Sequence, residues 1–309
     1  MADISKRHYN DEAQMPGKLK SIFLSIRYLE ALIFLTPTMM GLVVFLPAIS
    51  FRYAVEALLA CAGSFLIAAA ILAINDWADI NLDSQNSLKR RETFLERGIT
   101  PNQMLALSIS LAAVGMAFFA ALSRLQAAIA LVWFGLGLAY SVPIGALRGK
   151  GIPLFSSFLH FSGTLVAFLL GALTFAPADW RMILVASYPA VLLTAGHLIQ
   201  EVQDYEEDRL SGCQTNAVRF GRKAVFISGC LLFGLSFLLL YWLAAGGFFP
   251  GVFKYTSILY LLYGALAMQA YRAGLTRDSM RHLRKQYRIL FAVVVLAMLV
   301  GNLLAKAAI

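Results

Sequence analysis

Charge is scarce in this chain. Asp, Glu, Lys and Arg make up 14% of its 309 residues while 60% are hydrophobic, against roughly a quarter charged in an ordinary soluble domain. So little polar surface cannot cover a soluble globule, and that class is excluded. Cysteine is equally sparse. Cys61, Cys213 and Cys230 show neither a pairing pattern nor zinc-ligand spacing, which leaves no basis for a disulfide framework or a thiolate metal site. The short alternating segments of a membrane barrel are missing too, so helices are the plausible spanning form. No basic stretch is interleaved with aromatic residues, and the formal charge of +9 therefore speaks of orientation and anionic headgroups rather than nucleic acid. The first twenty residues are polar and lack the apolar core of a cleavable signal. Residues 1–27 read as a polar cytoplasmic tail ahead of a single domain covering 28–309.

What the chain has in abundance is apolar runs of about 20 residues, the length that crosses a hydrocarbon layer. Nine are found: Leu29 to Ile49, Val55 to Ile74, Met104 to Leu122, Leu125 to Tyr140, Pro153 to Phe175, Met182 to Ile199, Ala224 to Ala245, Val252 to Ala270 and Ile289 to Leu304. The expected fold is all-α, a single bundle of nine transmembrane helices around a central cavity open to the cytoplasmic side. Alternate connections are rich in Lys and Arg, from Lys6, Arg7, Lys18, Lys20 and Arg27 at the start to the segment from Arg272 to Arg288. The connections between them carry only Arg52, Arg124, Arg181, Lys254 and Lys306. This positive-inside pattern predicts an integral multi-pass protein, of the inner or plasma membrane if the host is bacterial, with its amino terminus cytoplasmic and its carboxyl terminus on the opposite side.

The second run ends in Asn75-Asp76-Trp77-Ala78-Asp79-Ile80-Asn81-Leu82-Asp83. On a helix Asp76, Asp79 and Asp83 share one face, where like charges repel unless something positive neutralises them. Hard oxygen ligands at a polar mouth suit Mg²⁺, which keeps several waters and shares phosphate oxygens with its ligand. A solvated acidic loop is the bland alternative. A second acidic run, Glu201, Asp204, Glu206, Glu207 and Asp208, again follows a long apolar segment. Two carboxylate sets at the mouths of two helices on the same side point to a shared site that grips a diphosphate through divalent cations.

Other polar residues cluster around these mouths. Lys89, Arg90 and Arg91 follow the first run, and Tyr140-Ser141-Val142-Pro143 with Arg148 and Lys150 forms a third candidate wall. Topology control alone would also explain the basic residues. His197, Gln200, Glu201, Asp204 and Asp208 keep near one helical stripe leading from the bilayer to the second run, whereas His160 reads as a core histidine and Glu30 as an interface residue. Thr100-Pro101 reads as a helix N-cap and first helical position. The basic segment Arg272 to Arg288 reads as a membrane-surface element. The two acidic loops are four helices apart, which suggests two similarly built halves with a ninth helix added.

These residues resemble the UbiA superfamily of intramembrane prenyltransferases. Asn75-Asp76-x-x-Asp79-x-x-x-Asp83 matches the first aspartate-rich motif of that superfamily at every defined position, and Asp204-x-x-x-Asp208 with Gly212, Thr215, Arg219 and Gly221 matches the second. The Tyr140-Ser141-x-Pro143 turn and its downstream cations are similar to a third element. One departure stands out: members often carry Arg-Pro-Leu shortly before the glycine of the loop after the first motif, and this chain has Thr93-Phe94-Leu95 before Gly98. Lys89, Arg90 and Arg91 are the candidates for that arginine's duty.

The resemblance implies Mg²⁺-assisted departure of diphosphate from an isoprenyl diphosphate. The prenyl group would pass to a lipophilic acceptor within the membrane, expected to be an aromatic precursor of quinone or chlorin type. It implies that Asp76, Asp79, Asp83, Asp204 and Asp208 hold the metals with Asn75 in support. Lys89, Arg90, Arg91, Tyr140, Arg148, Lys150 and Arg209 would contact the diphosphate, and His197 or a carboxylate of the second run would take the acceptor's proton. Membrane lipids are the surroundings and nucleic acid is not a partner. The same site in a terpene cyclase, or in a transferase to a non-aromatic acceptor, would leave the same motifs. A secondary transporter is the rival of another class, disfavoured because its coupling charges would lie near the bilayer midplane rather than at one face.

Overall fold

A computed structural model describes residues 17–85, 93–143 and 148–307, and the described residues form helices and turns without a strand. In order they are α1 (Lys18–Ser25), α2 (Tyr28–Phe45), α3 (Phe51–Gln85), α4 (Pro101–Leu122), α5 (Arg124–Ser141), α6 (Phe155–Ala172), α7 (Trp180–Gln203), α8 (Tyr205–Leu210), α9 (Asn216–Phe220), α10 (Arg222–Ala245), α11 (Leu259–Arg272) and α12 (Arg277–Ala307). Among the described residues nine stretches are long and apolar enough to cross a membrane: α2 to α7, α10, Gly251–Arg272 with α11 at its end, and α12. The chain is an integral, multi-pass membrane protein.

Three of the expected boundaries move, each for a local reason. α3 does not stop at Ile74 but continues to Gln85, so the whole first acidic run is helical and its three aspartates do share a face. α12 begins at Arg277, after Thr276 Oγ1 accepts a hydrogen bond from Ser279 N at 3.3 Å, an N-cap that carries the basic segment into the last helix instead of leaving it as a separate surface element. Pro47 falls beyond the end of α2, so only Pro37 lies within that helix. Thr100 caps α4 as expected, in a reciprocal capping box with Gln103 and with Pro101 at the first position. α1 falls within the stretch read as a tail, with Ser21 and Ser25 buried.

Two large apolar clusters fill the bundle, with a smaller third around Ile80, Phe94 and Met104. One is built from α2 to α6 around Ile67, Phe119, Trp133 and Leu170; the other joins α7, α10, α11 and α12 around Tyr188, Phe233, Tyr263 and Met280. α2 and α6 contribute to both and form the seam. They can do so because Gly41 and Gly171 face each other: a Cβ on Gly41 would stand 2.7 Å from Ala172 N, and one on Gly171 2.9 Å from Leu42 N. Small residues of this kind bring membrane helices to backbone contact, where dispersion and hydrogen bonds replace the missing hydrophobic drive. At the same seam Thr38 Oγ1 donates to Ala167 O at 2.8 Å and lies 2.9 Å from Ser64 Oγ.

Candidate active site

A cavity of about 1270 Å³ opens between the helices, and its walls run from apolar to ionic. Its inner part is lined by Met40, Trp133, Leu192 and Phe233, among others, and its other end by the carboxylates of both acidic runs. Asn75, Asp76, Asp79 and Asp83 come from α3, while Asp204 and Asp208 come from the C-cap of α7 and from α8. Residues of both runs thus line the same cavity.

Asp76 and Asp79 of the first run are held by cations of the protein itself. Arg27 Nη1 lies 3.2 Å from Asp76 Oδ1, and Asp79 is gripped from two sides, by Arg148 Nη1 at 2.5 Å and Lys150 Nζ at 3.2 Å. Asp79 is buried, and a buried carboxylate persists in a membrane protein only when paired in this way. Burial pulls the Lys150 ammonium down, and Asp79 beside it more than offsets this, so its pKa stands above the ordinary lysine value. Burial likewise pulls Arg27 down and Asp76 and Glu30 hold it up. Arg148 keeps Nε and Nη2 buried without a partner, which leaves spare donors beside the cavity for an anion.

The second run is arranged differently. α7 ends at Gln203, and Asp204 turns out of the helix with φ −90° and ψ 6° before α8 restarts. The expected stripe from His197 to Asp208 is therefore continuous only as far as Glu201. Asp204 is met by an amide, Gln203 Nε2 donating to Oδ1 at 3.0 Å. Asp208 is set by a turn in which Cys213 N donates to its backbone oxygen at 2.9 Å and Gly212 takes φ +75°, the left-handed region that glycine enters without strain.

Between the ionic end and the apolar interior stands a group of rings. His160 of α6 and His197 of α7 stack with centroids 4.0 Å apart and planes 17° from parallel, and Tyr140 meets His160 edge-on at 5.3 Å. His197 Nε2 lies 3.0 Å from Glu201 Oε1, off the alignment of a hydrogen bond. Glu201 is fixed by Asn216 Nδ2 at 3.0 Å, Ala217 N at 3.2 Å and Ser156 Oγ at 3.3 Å. Asn216 also accepts from Leu154 N at 2.6 Å, where Leu154 is held at φ 63° and ψ −40° just before α6. One asparagine thus ties the starts of α6 and α9 to the end of α7.

Not every candidate residue reaches the cavity. Arg209 is exposed on α8 and pairs with Glu206 at 3.3 Å, away from the lining. Lys89, Arg90 and Arg91 lie outside the described residues. Glu30, read from sequence as an interface residue, lines the cavity and lies 3.6 Å from Arg27. His160, read as a core histidine, lines it too. Two residues not singled out from sequence join them: Arg97 lines the ionic end and Asn216 fixes Glu201 there, while the cations of α12, read as a surface element, line it too. The signal for Arg97 was its place in the stretch that departs from Arg-Pro-Leu. Nothing local marked Asn216, because its partners are distant in sequence.

The donor set suits Mg²⁺. The donors are hard carboxylate oxygens, of which Mg²⁺ characteristically takes one or two, completing its shell with water and substrate phosphate; among the described residues no group of three or more His, Cys, Asp or Glu side chains is arranged to hold a metal ion.

A profile described as the UbiA prenyltransferase family matches residues 34–295. The chain is 29% identical over 174 residues to a protein of Cupriavidus necator named 4-hydroxybenzoate octaprenyltransferase, covering 52% of this chain and 55% of that one. It is 30% identical over 198 residues to one of Methanoregula boonei named digeranylgeranylglyceryl phosphate synthase, covering 62% and 67%. The match thus spans just over half the length of the first relative. The fold superposes on a UbiA homolog from Archaeoglobus fulgidus, solved with GPP and Mg²⁺, with a TM-score of 0.72 at 19% identity over 94% of this chain and 100% of the other. A prenyltransferase family leaves no room for the transporter reading, and the chain belongs to the UbiA prenyltransferase family.

Proposed function

We propose that this enzyme transfers an isoprenyl group from an isoprenyl diphosphate to a lipophilic, hydroxylated aromatic acceptor inside the bilayer, releasing diphosphate. The observation that supports this most is that residues of both acidic runs and Lys150 line one cavity, with Arg148 held against Asp79 of its wall. In this scheme Asp76, Asp79, Asp83, Asp204 and Asp208 bind metal with Asn75 beside them. Bound Mg²⁺ would supply charge stabilisation on the leaving phosphate oxygens.

The chain's own groups do the rest. Arg148 and Lys150 turn from Asp79 toward the diphosphate, a charge exchange that leaves the carboxylate available as a ligand, and the spare donors of Arg148 fit that role. Tyr140 closes the space between the diphosphate end and the ring pair. The apolar interior holds the prenyl chain and keeps water from the allylic cation. As the C–O bond to diphosphate breaks and a C–C bond to the acceptor ring forms, the acceptor's proton passes to His197, steadied by Glu201.

The positive-inside pattern supports a cytoplasmic amino terminus, with the cavity's ionic end on that side and the carboxyl terminus across the membrane. We take residues 28–309 as the catalytic domain. Incubation of the purified protein in lipid with isoprenyl diphosphates of several lengths and a panel of acceptors, with and without Mg²⁺, is the direct test. Acceptor-dependent diphosphate release with a prenylated product is expected. Release with a cyclised product and no need of acceptor would overturn the transfer in favour of a cyclase, and no release would sink both.

A further inference from the structure

His160 is an ionisable ring in a membrane-spanning helix, a placement that calls for a reason. It lines the cavity, and among the described residues neither of its ring nitrogens forms a hydrogen bond or an ion pair. What engages it is other rings. Its face lies on that of His197 from α7, with centroids 4.0 Å apart and planes 17° from parallel. Phe34 of α2 stands 6.3 Å away at 35°, and Tyr140 of α5 meets it edge-on at 5.3 Å and 86°. Tyr140 also reaches His197, at 6.3 Å and 73°. Rings from four helices thus converge on one imidazole stack.

The stack meets a need of His197 that Glu201 leaves open. A base must keep one nitrogen unprotonated and turned toward its substrate. The torsion that turns an imidazole about its Cβ–Cγ bond is broad and roughly two-fold, so a ring left to itself exchanges its two edges. Glu201 Oε1 lies 3.0 Å from His197 Nε2 but off the alignment of a hydrogen bond. The carboxylate therefore favours a proton on that nitrogen without fixing the plane of the ring. A flip about Cβ–Cγ carries the ring through a plane perpendicular to its own. With a parallel ring 4.0 Å away on one face and Tyr140 beside both, that passage is closed. The small in-plane rotation that would align Nε2 with Glu201 stays open.

We propose that His160 is a positioning residue: by stacking on His197 it holds Nε2 of that base toward Glu201 and Nδ1 toward the acceptor. This rests on the transferase reading, in which the acceptor's proton passes to His197 and diphosphate leaves with the electron pair of the broken C–O bond. His160 itself takes no proton. It acts through His197 alone, so another flat ring of similar size at its position should do the same.

Two measurements test this, and the first needs no substrate. The chain has 4 histidines, so nitrogen-15 labelling of histidine in the full-length protein in nanodiscs gives few ring resonances, and those of His197 are identified by their loss in His197→Gln. In the wild type they should report one tautomer, protonated at Nε2. His160→Ala should give an average of both tautomers, and His160→Phe should restore one. Two tautomers in the wild type would overturn the proposal even if His160→Ala failed to fold, and so would resonances that His160→Ala leaves unmoved. The second measurement is turnover with geranyl diphosphate, Mg²⁺ and whichever phenolic acceptor of the panel gives most product. His160→Ala should lower kcat by about tenfold or more with KM for the diphosphate within about threefold, and His160→Phe should recover most of the loss. In a His197→Gln background His160→Ala should cost no more than about twofold further, since a residue acting through another has no effect once that other is gone. A full tenfold further loss would overturn the proposal, because His160 would then act by itself. Absence of prenyl transfer by the wild type would sink the transferase reading instead, and the tautomer measurement would still decide whether His160 orders His197.

Discussion

The two acidic walls of the cavity are built on opposite plans. On α3, Asp76 and Asp79 are each held by cations of the protein itself, from Arg27, Arg148 and Lys150. At the α7–α8 junction Asp204 has an amide for company and sits where the helix breaks. On the first wall Asp76 and Asp79 carry ion pairs to the protein's own cations, whereas Asp204 on the second is met by a neutral amide. One wall thus combines folding and binding roles, and the other can be specialised for binding. Substitutions should separate these.

The largest effect is expected on turnover, where the walls should behave alike. Asp76→Ala or Asp204→Ala should each reduce diphosphate release to background while the protein remains folded, as should removal of Mg²⁺ by EDTA with recovery on adding it back. Near wild-type release by either variant would separate that run from the chemistry. Stability should then tell the walls apart. Asp79→Ala leaves Arg148 and Lys150 buried and unpaired and should cost about 3–5 kcal/mol in a detergent unfolding titration. Asp204→Ala should cost no more than about 1 kcal/mol. Equal costs would erase the contrast.

A smaller effect is expected from Asn216→Ala, which removes the tie among α6, α7 and α9. A loss of about 1–3 kcal/mol is expected from the unpaired Leu154 N and Glu201 carboxylate. Turnover should fall as well, because Glu201 would no longer steady His197; unchanged turnover would remove His197 from proton transfer. Smallest is Arg284→Lys, which loses the forked contact to Gln200 and Gln203 and should cost about 1 kcal/mol, measured in the same titration.

Much of this could be read along the chain because it is periodic or contiguous. Spans announce themselves as apolar runs, and the spacing of Asp76, Asp79 and Asp83 places them on one helical face wherever that helix lies. The fate of isolated polar residues was less legible. Glu30 and His160 look like an interface residue and a core residue in their own neighbourhoods, yet both line the cavity, since the face a residue presents depends on which helix packs beside it. Arg209 looks like its neighbours in the second motif and is turned outward by the restart of the helix at Tyr205.

The basic segment of α12 shows the same division. Hydrophobicity alone determined that nine stretches among the described residues are long and apolar enough to cross a bilayer, because that follows from transfer free energies that each residue carries with it. Only the tertiary structure decided that the cations of α12 face the cavity, that Asp79 is shared between Arg148 and Lys150, and that Asn216 joins three helices. Those outcomes are set by contacts between segments far apart in sequence, and no local propensity encodes the partner.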